Sequence, residues 1–454
     1  MPFGKHIGFG RGGDLDVETA RVVADTRNGS CSMPNGARQA LPRSNAIATA
    51  SSHAIFLLLC ILMTNVGGAQ GLATQHTAER LTIDVPDPVL SDLSERLART
   101  RWPDQLPGTG WTYGTDTAYL RELVSYWRNG FDWHAQEARL NEFEHYRAWV
   151  GGMRIHFVHT RSKDPDAIPL LLLHGWPSSF VQMLDIIPLL VDPAAHGLPS
   201  TPSFHVVAAS LPGFGFSDIP ARPGVGFATS ADLMAELMHD VLNYSQYGVR
   251  GSDLGGNIVR QIALRHPDQV IGVHLTGMIG TADAEPPFTL AEQAFIEADA
   301  ATQPERAYAR LQMSKPQTLA HALNDSPTGL AAWIIEKFRA WSDSNGDIES
   351  RFTKDELLTN LMIYWVTGTA PSSVRMYFDF SREPLATGRI ERPVGMLMSN
   401  KDLFPPAPRE WGERFFNVER WVETDVGGHF LEWEEPELVA RELQTFFRSI
   451  TFER

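Results

Sequence analysis

Cysteine is almost absent. Cys31 and Cys60 are the only two among 454 residues, and both precede the part of the chain that reads as folded. The folded body therefore has neither a disulfide framework nor a thiolate metal site. Basic clusters are missing too. With 39 Lys and Arg against 54 Asp and Glu the formal charge is −15, and no run of cations supplies the footprint that phosphate-backbone binding requires, so nucleic acid is not an expected partner. Membrane-length apolar runs are also lacking: Ala54 to Met63 is apolar throughout but falls well short of the roughly 20 residues of a spanning helix. A hydrophobic content of 43% over this length excludes disorder as the default and allows a large core with accessory units.

Residues 1–74 read as a leader. The run 54–63, with Arg38 and Arg43 before it and Gly67-Gly68-Ala69 after it, resembles a secretory signal peptide, although the leader is long for one. Export is favoured over anchoring, with a later start at Met33 as the alternative. Gly8 to Gly13 matches G-x-G-x-x-G, but without a preceding strand or a following apolar helix it carries no dinucleotide site.

From residue 75 the pattern changes. Helical spacing runs over Asp87–Arg101, Thr117–Asn129 and Trp133–Asn141, and a hairpin, Phe143–Trp149 with Met153–Thr160, turns at Gly151-Gly152. Apolar runs at Pro169–Leu173, His205–Ser210 and Val270–Leu275, separated by a helix at Ser230–Tyr244 and another after residue 256, predict a mostly parallel α/β sheet with helices on both faces. Between 281 and 392 the strand rhythm stops. Six helical segments there (Phe288–Ala300, Arg306–Met313, Pro316–Leu323, Leu330–Trp341, Lys354–Val366 and Ser372–Asp379) read as a cap inserted over the sheet's carboxyl edge. Strands resume at Val394–Ser399 and Arg420–Thr424, and a helix, Pro436–Phe447, closes the chain. The expected layout is thus a leader (1–74), an N-terminal extension (75–160), two core parts (161–280 and 393–454) and the cap (281–392).

The chemistry centres on Gly251-Ser252-Asp253-Leu254-Gly255. Glycines on either side of a nucleophile permit a sharp strand-to-helix turn that leaves the central side chain standing exposed. Here that side chain is a carboxylate, suited to opening an activated carbon electrophile by forming an ester. Asp253 as a plain helix cap is the competing reading. His174-Gly175-Trp176-Pro177 follows the neighbouring strand, where a backbone bend would aim an amide at developing negative charge. Asp402 follows the strand ending at Ser399, and His429 lies in Gly427-Gly428-His429-Phe430 after the last strand, so nucleophile, acid and histidine appear in α/β-hydrolase order. Glu410 and Asp283 are alternative acids. Asp343 to Asp347 suggests calcium, but its glycine is misplaced for an EF-hand loop and the final Glu is missing.

These residues resemble the microsomal-type epoxide hydrolases, which are α/β-hydrolases with an N-terminal extension and a helical cap. The likeness covers nearly everything after Leu81. It rests on His174 to Pro177, Leu211-Pro-Gly-Phe-Gly-Phe-Ser217, the Asp253 elbow, Gly427 to Phe430, and the cap runs Lys315 to Leu319, Leu323 to Trp333 and Leu357 to Thr369. The resemblance implies Asp253 as nucleophile, His429 as base and Asp402, in Lys401-Asp402-Leu403, as its acid. It also implies Tyr308 and Tyr377 as hydrogen-bond donors to the epoxide oxygen, with backbone N–H groups of Trp176 and Leu254 as the oxyanion hole. Tyr364 is the decoy whose spacing suits packing. Leu254 departs from the family, where Trp is common. No cofactor or metal is implied; the expected partners are a small apolar epoxide and water, with membrane contact confined to residues 54–63 and a homodimer left open. Haloalkane or haloacid dehalogenases share the triad plan but need a halide cradle in place of paired phenols. A non-catalytic carrier of apolar ligands would keep the pocket without needing all three members, and a serine esterase fails because Ser252 is off the apex.

Overall fold

A computed structural model describes residues 77–200, 202–277 and 284–451. The leader, with its apolar run 54–63, and Asp283 lie outside the described residues. Strand β1 (Ala78–Leu81) was not expected. Its sequence, Ala-Glu-Arg-Leu, is half polar because it is an edge strand, pairing antiparallel with β2 (His145–Val150) alone. Three helices intervene: α1 (Asp87–Ala98), α2 (Thr117–Asn129) and α3 (Trp133–Leu140). The first stops three residues before the expected Arg101, since Trp102-Pro103 disfavours helical backbone just ahead of it. Asp116 starts α2 by accepting from the Ala118 amide.

β2 and β3 (Met153–Thr160) form the expected hairpin, turned by Gly151 and Gly152 at φ 54° and 84°. β3 then pairs antiparallel with β5 (Phe204–Ala209), so the strands of the extension lengthen the core sheet. β4 (Ile168–Leu173) lies parallel to β5 and to β6 (Tyr247–Ser252), with Leu170 to Leu173 wholly buried, as a strand covered on both faces requires. α4 (Ile186–Val191), too short for its periodicity to show, links β4 to β5. The helix expected at Ser230–Tyr244 instead starts at Phe227, runs to Glu236 as α5, and widens into a π-turn over Leu237–Val241. That widening lets Leu237, Met238 and Val241 all face inward.

α6 (Asp253–Arg265) follows β6, and β7 (Val270–Thr276) continues the parallel sheet. Then come the inserted helices: α7 (Leu290–Ala301), α8 (Ala307–Ser314), α9 (Pro316–Asp325), α10 (Pro327–Trp341), α11 (Lys354–Thr367) and α12 (Ala370–Phe380). Capping boxes at Thr289/Glu292 and Thr353/Glu356 mark the starts of α7 and α11. β8 (Ile390–Ser399), the unexpected α13 (Arg409–Phe415), β9 (Phe416–Thr424), α14 (Leu431–Glu434) and α15 (Pro436–Thr451) complete the chain. Among the described residues the nine strands run in the order β1-β2-β3-β5-β4-β6-β7-β8-β9. Every neighbouring pair from β5 to β9 is parallel.

The N-terminal helices lean on the insertion. Arg96 pairs with Asp325 at 3.0 Å, the Thr115 hydroxyl donates to the Ala332 carbonyl at 2.6 Å, and the Tyr126 hydroxyl donates to Asp355 at 2.8 Å. At the centre, parallel register aligns the strand ends Leu173 with Gly251, Ser252 with Thr276 and Thr276 with Leu397, so the loops that follow emerge along one edge. A ligand crevice is expected at such an edge. The approach there is close: a Cβ on Gly255, in the first turn of α6, would lie 2.3 Å from the Leu173 carbonyl oxygen. Gly255→Ala is therefore expected to cost about 1–3 kcal/mol of stability, read as a lower urea midpoint at constant slope. An unmoved midpoint would show that helix and strand separate without penalty.

Candidate active site

Asp253 opens α6 in the left-handed region, at φ 50°. A non-glycine residue is rarely held there, and such strain clusters at functional sites. Its carboxylate does not cap its own helix: the N-cap is Ser252, without a side-chain cap bond, and Asp253 Oδ1 accepts the Trp176 amide at 2.9 Å. The two backbones can meet because position 175 is glycine; a Cβ there would lie 2.3 Å from Asp253 Cβ. The Leu254 amide belongs to the first turn of α6, where helix donors have no intrahelical acceptor.

The peptide unit that carries the Trp176 N–H is braced from its other end. The Gly175 carbonyl accepts the Ser178 hydroxyl at 3.1 Å and lies 3.0 Å from His174 Nδ1. Because the Leu211 amide donates to His174 Nε2 at 3.3 Å, the ring proton is on Nδ1 and points at Gly175. Burial lowers the His174 pKa to about 4, which keeps the ring neutral in this role. Asn360 donates to the Pro177 carbonyl at 2.9 Å, and the Tyr364 hydroxyl donates to the Ser178 carbonyl at 2.6 Å. Tyr364 thus holds the loop in place.

His429 stands between two carboxylates. Its Nδ1 is 2.9 Å from Asp402 Oδ2 and its Nε2 is 3.5 Å from Asp253 Oδ2, with the imidazole buried and both carboxylates partly buried. Burial by itself would lower the imidazole pKa, but Asp402 first and then Asp253 outweigh it, so the value lies well above the ordinary 6.5. Glu410 is elsewhere: it lies on the exposed side of α13 and accepts the Thr289 hydroxyl at 3.3 Å. Asp283 is outside the described residues.

The insertion contributes the phenols. The Tyr308 ring stacks on Trp176 at 5.1 Å, and the Tyr377 ring meets Trp176 edge-on at 5.9 Å, with the two tyrosine rings 6.1 Å apart. Burial raises both phenols, and the charge of Asp253 adds to it. Both therefore stay protonated donors throughout the physiological range. The Tyr377 hydroxyl is enclosed with no partner of hydrogen-bond geometry. An acceptor placed between the phenols and Asp253 would meet donors on one side and a carboxylate on the other. No group of metal-ligating side chains occurs among the described residues. The Asp343 to Asp347 turn is held internally by Arg351, which pairs with Asp343 at 2.6 Å.

Several supporting groups escaped the sequence reading. Arg250 and Glu432 form an ion pair at 2.9 Å with no exposure on either side. Glu432 also accepts from Gln182 at 2.7 Å, and Gln182 meets Ser178, so one polar chain links the β6 strand, the His429 segment and the Trp176 loop. An arginine inside an otherwise apolar strand, Tyr247-Gly-Val-Arg-Gly, was the available signal.

The chain is similar to known proteins in sequence and in fold. The family model of the epoxide hydrolase N terminus matches residues 78–183, and that of the alpha/beta hydrolase fold matches residues 168–344. A Stigmatella aurantiaca (strain DW4/3-1) protein named "Putative epoxide hydrolase" is 42% identical over 372 residues, covering 81% of this chain and 84% of its own. Epoxide hydrolase 1 of Oryctolagus cuniculus is 33% identical over 409 residues, covering 80% of this chain and 87% of its own. The crystal structure of juvenile hormone epoxide hydrolase from the silkworm Bombyx mori superposes with a TM-score of 0.73 at 29% identity, over 83% of this chain and 95% of that one.

The electrostatics give a test. Since the folded value of His429 is raised, its protonated contacts stabilise the fold fully below the unfolded pKa of about 6.5 and are lost as pH rises through the folded value. Asp253→Asn removes one of the two carboxylates, and the His429 titration, followed by ¹⁵N NMR, is expected to move downward. An unmoved titration would assign the whole shift to Asp402.

Proposed function

The chain belongs to the microsomal-type epoxide hydrolase family, and from that premise we propose that it converts an apolar epoxide and water to a vicinal diol through an ester on Asp253. The observation that carries this reading is that two buried phenols and a strained carboxylate converge on Trp176. In the first step Asp253 attacks a ring carbon; a C–O bond to the carboxylate forms as the ring C–O bond breaks. Tyr308 and Tyr377 donate to the departing oxygen, and one of them gives it a proton.

In the second step His429, held by Asp402, takes a proton from water, whose oxygen attacks the ester carbonyl. The Trp176 and Leu254 amides receive the oxyanion. Collapse releases the diol, whose oxygen takes its proton from His429. The water's second proton, freed as the carboxylate reforms, returns to the imidazole. Alkylation removes the Asp253 charge from beside the imidazole, which lowers its pKa, so the proton it carries at rest passes to the phenolate before it acts as a base. Every bond change is thus supplied by substrate, water and these side chains.

A single turnover in ¹⁸O-labelled water tests the route. The label is expected in the Asp253 carboxylate, with the diol unlabelled; label in the first-turnover diol would mean direct water attack and would remove Asp253 from its role. Tyr308→Phe and Tyr377→Phe should each slow ester formation about 10²-fold, measured by rapid quench, while a rate unchanged in both would remove the phenols from ring opening.

A further inference from the structure

The segment carrying His429 is held by groups that the proposed chemistry does not use. Gly428 donates its amide to Glu434 Oε2 at 2.9 Å, and Phe430 donates to Glu434 Oε1 at 3.1 Å. Between them, the His429 amide donates to the Trp341 carbonyl, the last residue of α10, at 2.9 Å. Glu434 Oε2 also takes the Asp343 amide at 2.8 Å, just past the end of α10. The Gly427 amide reaches Asp343 Oδ2 at 3.3 Å. Four consecutive amides, 427 to 430, therefore all have acceptors on Glu434 or on the 341–343 segment. The two backbones touch: a Cβ on Gly428 would lie 2.5 Å from the Trp341 carbonyl oxygen and 2.6 Å from the Asp343 amide.

We infer that Glu434 is the positioning residue for His429, fastening the loop of the base to the end of α10 so that the imidazole faces the Asp253 ester. The inference rests on the roles proposed above for Asp253 and His429. Both carboxylate oxygens of Glu434 accept backbone N–H groups on either side of His429, so a shift of that side chain moves the imidazole with it. An amide at 434 keeps the size but offers one acceptor in place of two, and its NH₂ would face an N–H. The defect would then fall on one half of the reaction. Ring opening needs Asp253 and the phenols, whereas only ester hydrolysis needs a placed imidazole, and a misplacement of about 1 Å can cost on the order of 10²-fold.

The test is pre-steady-state kinetics of the full chain with styrene oxide, with mass analysis of the quenched protein. For Glu434→Gln, hydrolysis of the ester should slow about 10²-fold while its formation keeps the wild-type rate. Ester then accumulates, kcat and KM fall together, and kcat/KM is retained. Glu434→Asp keeps both acceptors on a shorter arm and should show a smaller fall in the same step, which also serves if the amide variant does not fold. Equal slowing of both steps, or no ester accumulation in either variant, would overturn the inference. Wild-type protein that never forms the ester would instead overturn the underlying chemistry, whatever the Glu434 variants do.

Discussion

Backbone has to approach backbone at the Asp253 elbow, and the placement of every other group follows from that contact. The first turn of α6 presses on the end of β4 at Leu173, and the His174 to Pro177 loop presses on Asp253 itself. Glycine at 175 and 255 is the only residue that fits these approaches. The result is a carboxylate at positive φ whose oxygen already holds an amide from the adjacent strand's loop. Strain of about 1–3 kcal/mol at such a residue persists only where the surroundings over-determine it. Here the surroundings are the parallel register of β4, β6 and β7, which sets the height of every loop along this edge.

A buried edge with this many charges is stable only because each one is compensated. Beneath the elbow, Arg250 meets Glu432, His274 and Thr276 with no solvent access. Burial and the neighbouring Arg250 push His274 far down, so its ring is neutral and accepts from the guanidinium instead of repelling it. Above the elbow the sign is reversed: one imidazole lies between two carboxylates and is held protonated in the resting site. An uncompensated charge at either level would cost several kcal/mol. In the proposed cycle, reactivity enters where this compensation changes, when esterification removes the negative charge of Asp253.

Much of this was legible in the chain because the relevant signals are local. The elbow glycines, the continuous apolar run of β4 and the residues following β8 and β9 each report on their own segment, and Asp402 and His429 fell where the loop order required. What was not legible depends on partners distant in sequence. The strand Ala78–Leu81 has no apolar alternation, since it borrows its order from β2, and the π-turn after Glu236 arises from tertiary packing of Leu237, Met238 and Val241. Glu432 and Glu434 look like surface acids in Leu-Glu-Trp-Glu-Glu-Pro, and only the fold brings Arg250 to one and the amides around His429 to the other. Tyr364 shows the same limit: its helical spacing was read as packing, while its hydroxyl holds the Ser178 carbonyl beside the candidate oxyanion peptide.

The candidate catalytic groups divide between two bodies of structure that must be held together. Asp253 and the Trp176 amide belong to the sheet edge, Tyr308 and Tyr377 to inserted helices, and His429 to a core loop whose own amide is satisfied by the insertion at Trp341. Neither body completes the site alone. The helices α1 and α2, with the loop that leads into α2, supply the brace from outside through Arg96, Tyr126 and Thr115, and the strands of the same extension join the core sheet through the pairing of β3 with β5. The N-terminal extension is therefore bonded to both bodies at once. The brace fixes α9, α10 and α11 through Asp325, Ala332 and Asp355, and α12, which carries Tyr377, packs on α9, so the insertion is held to helices that are themselves continuous with the sheet.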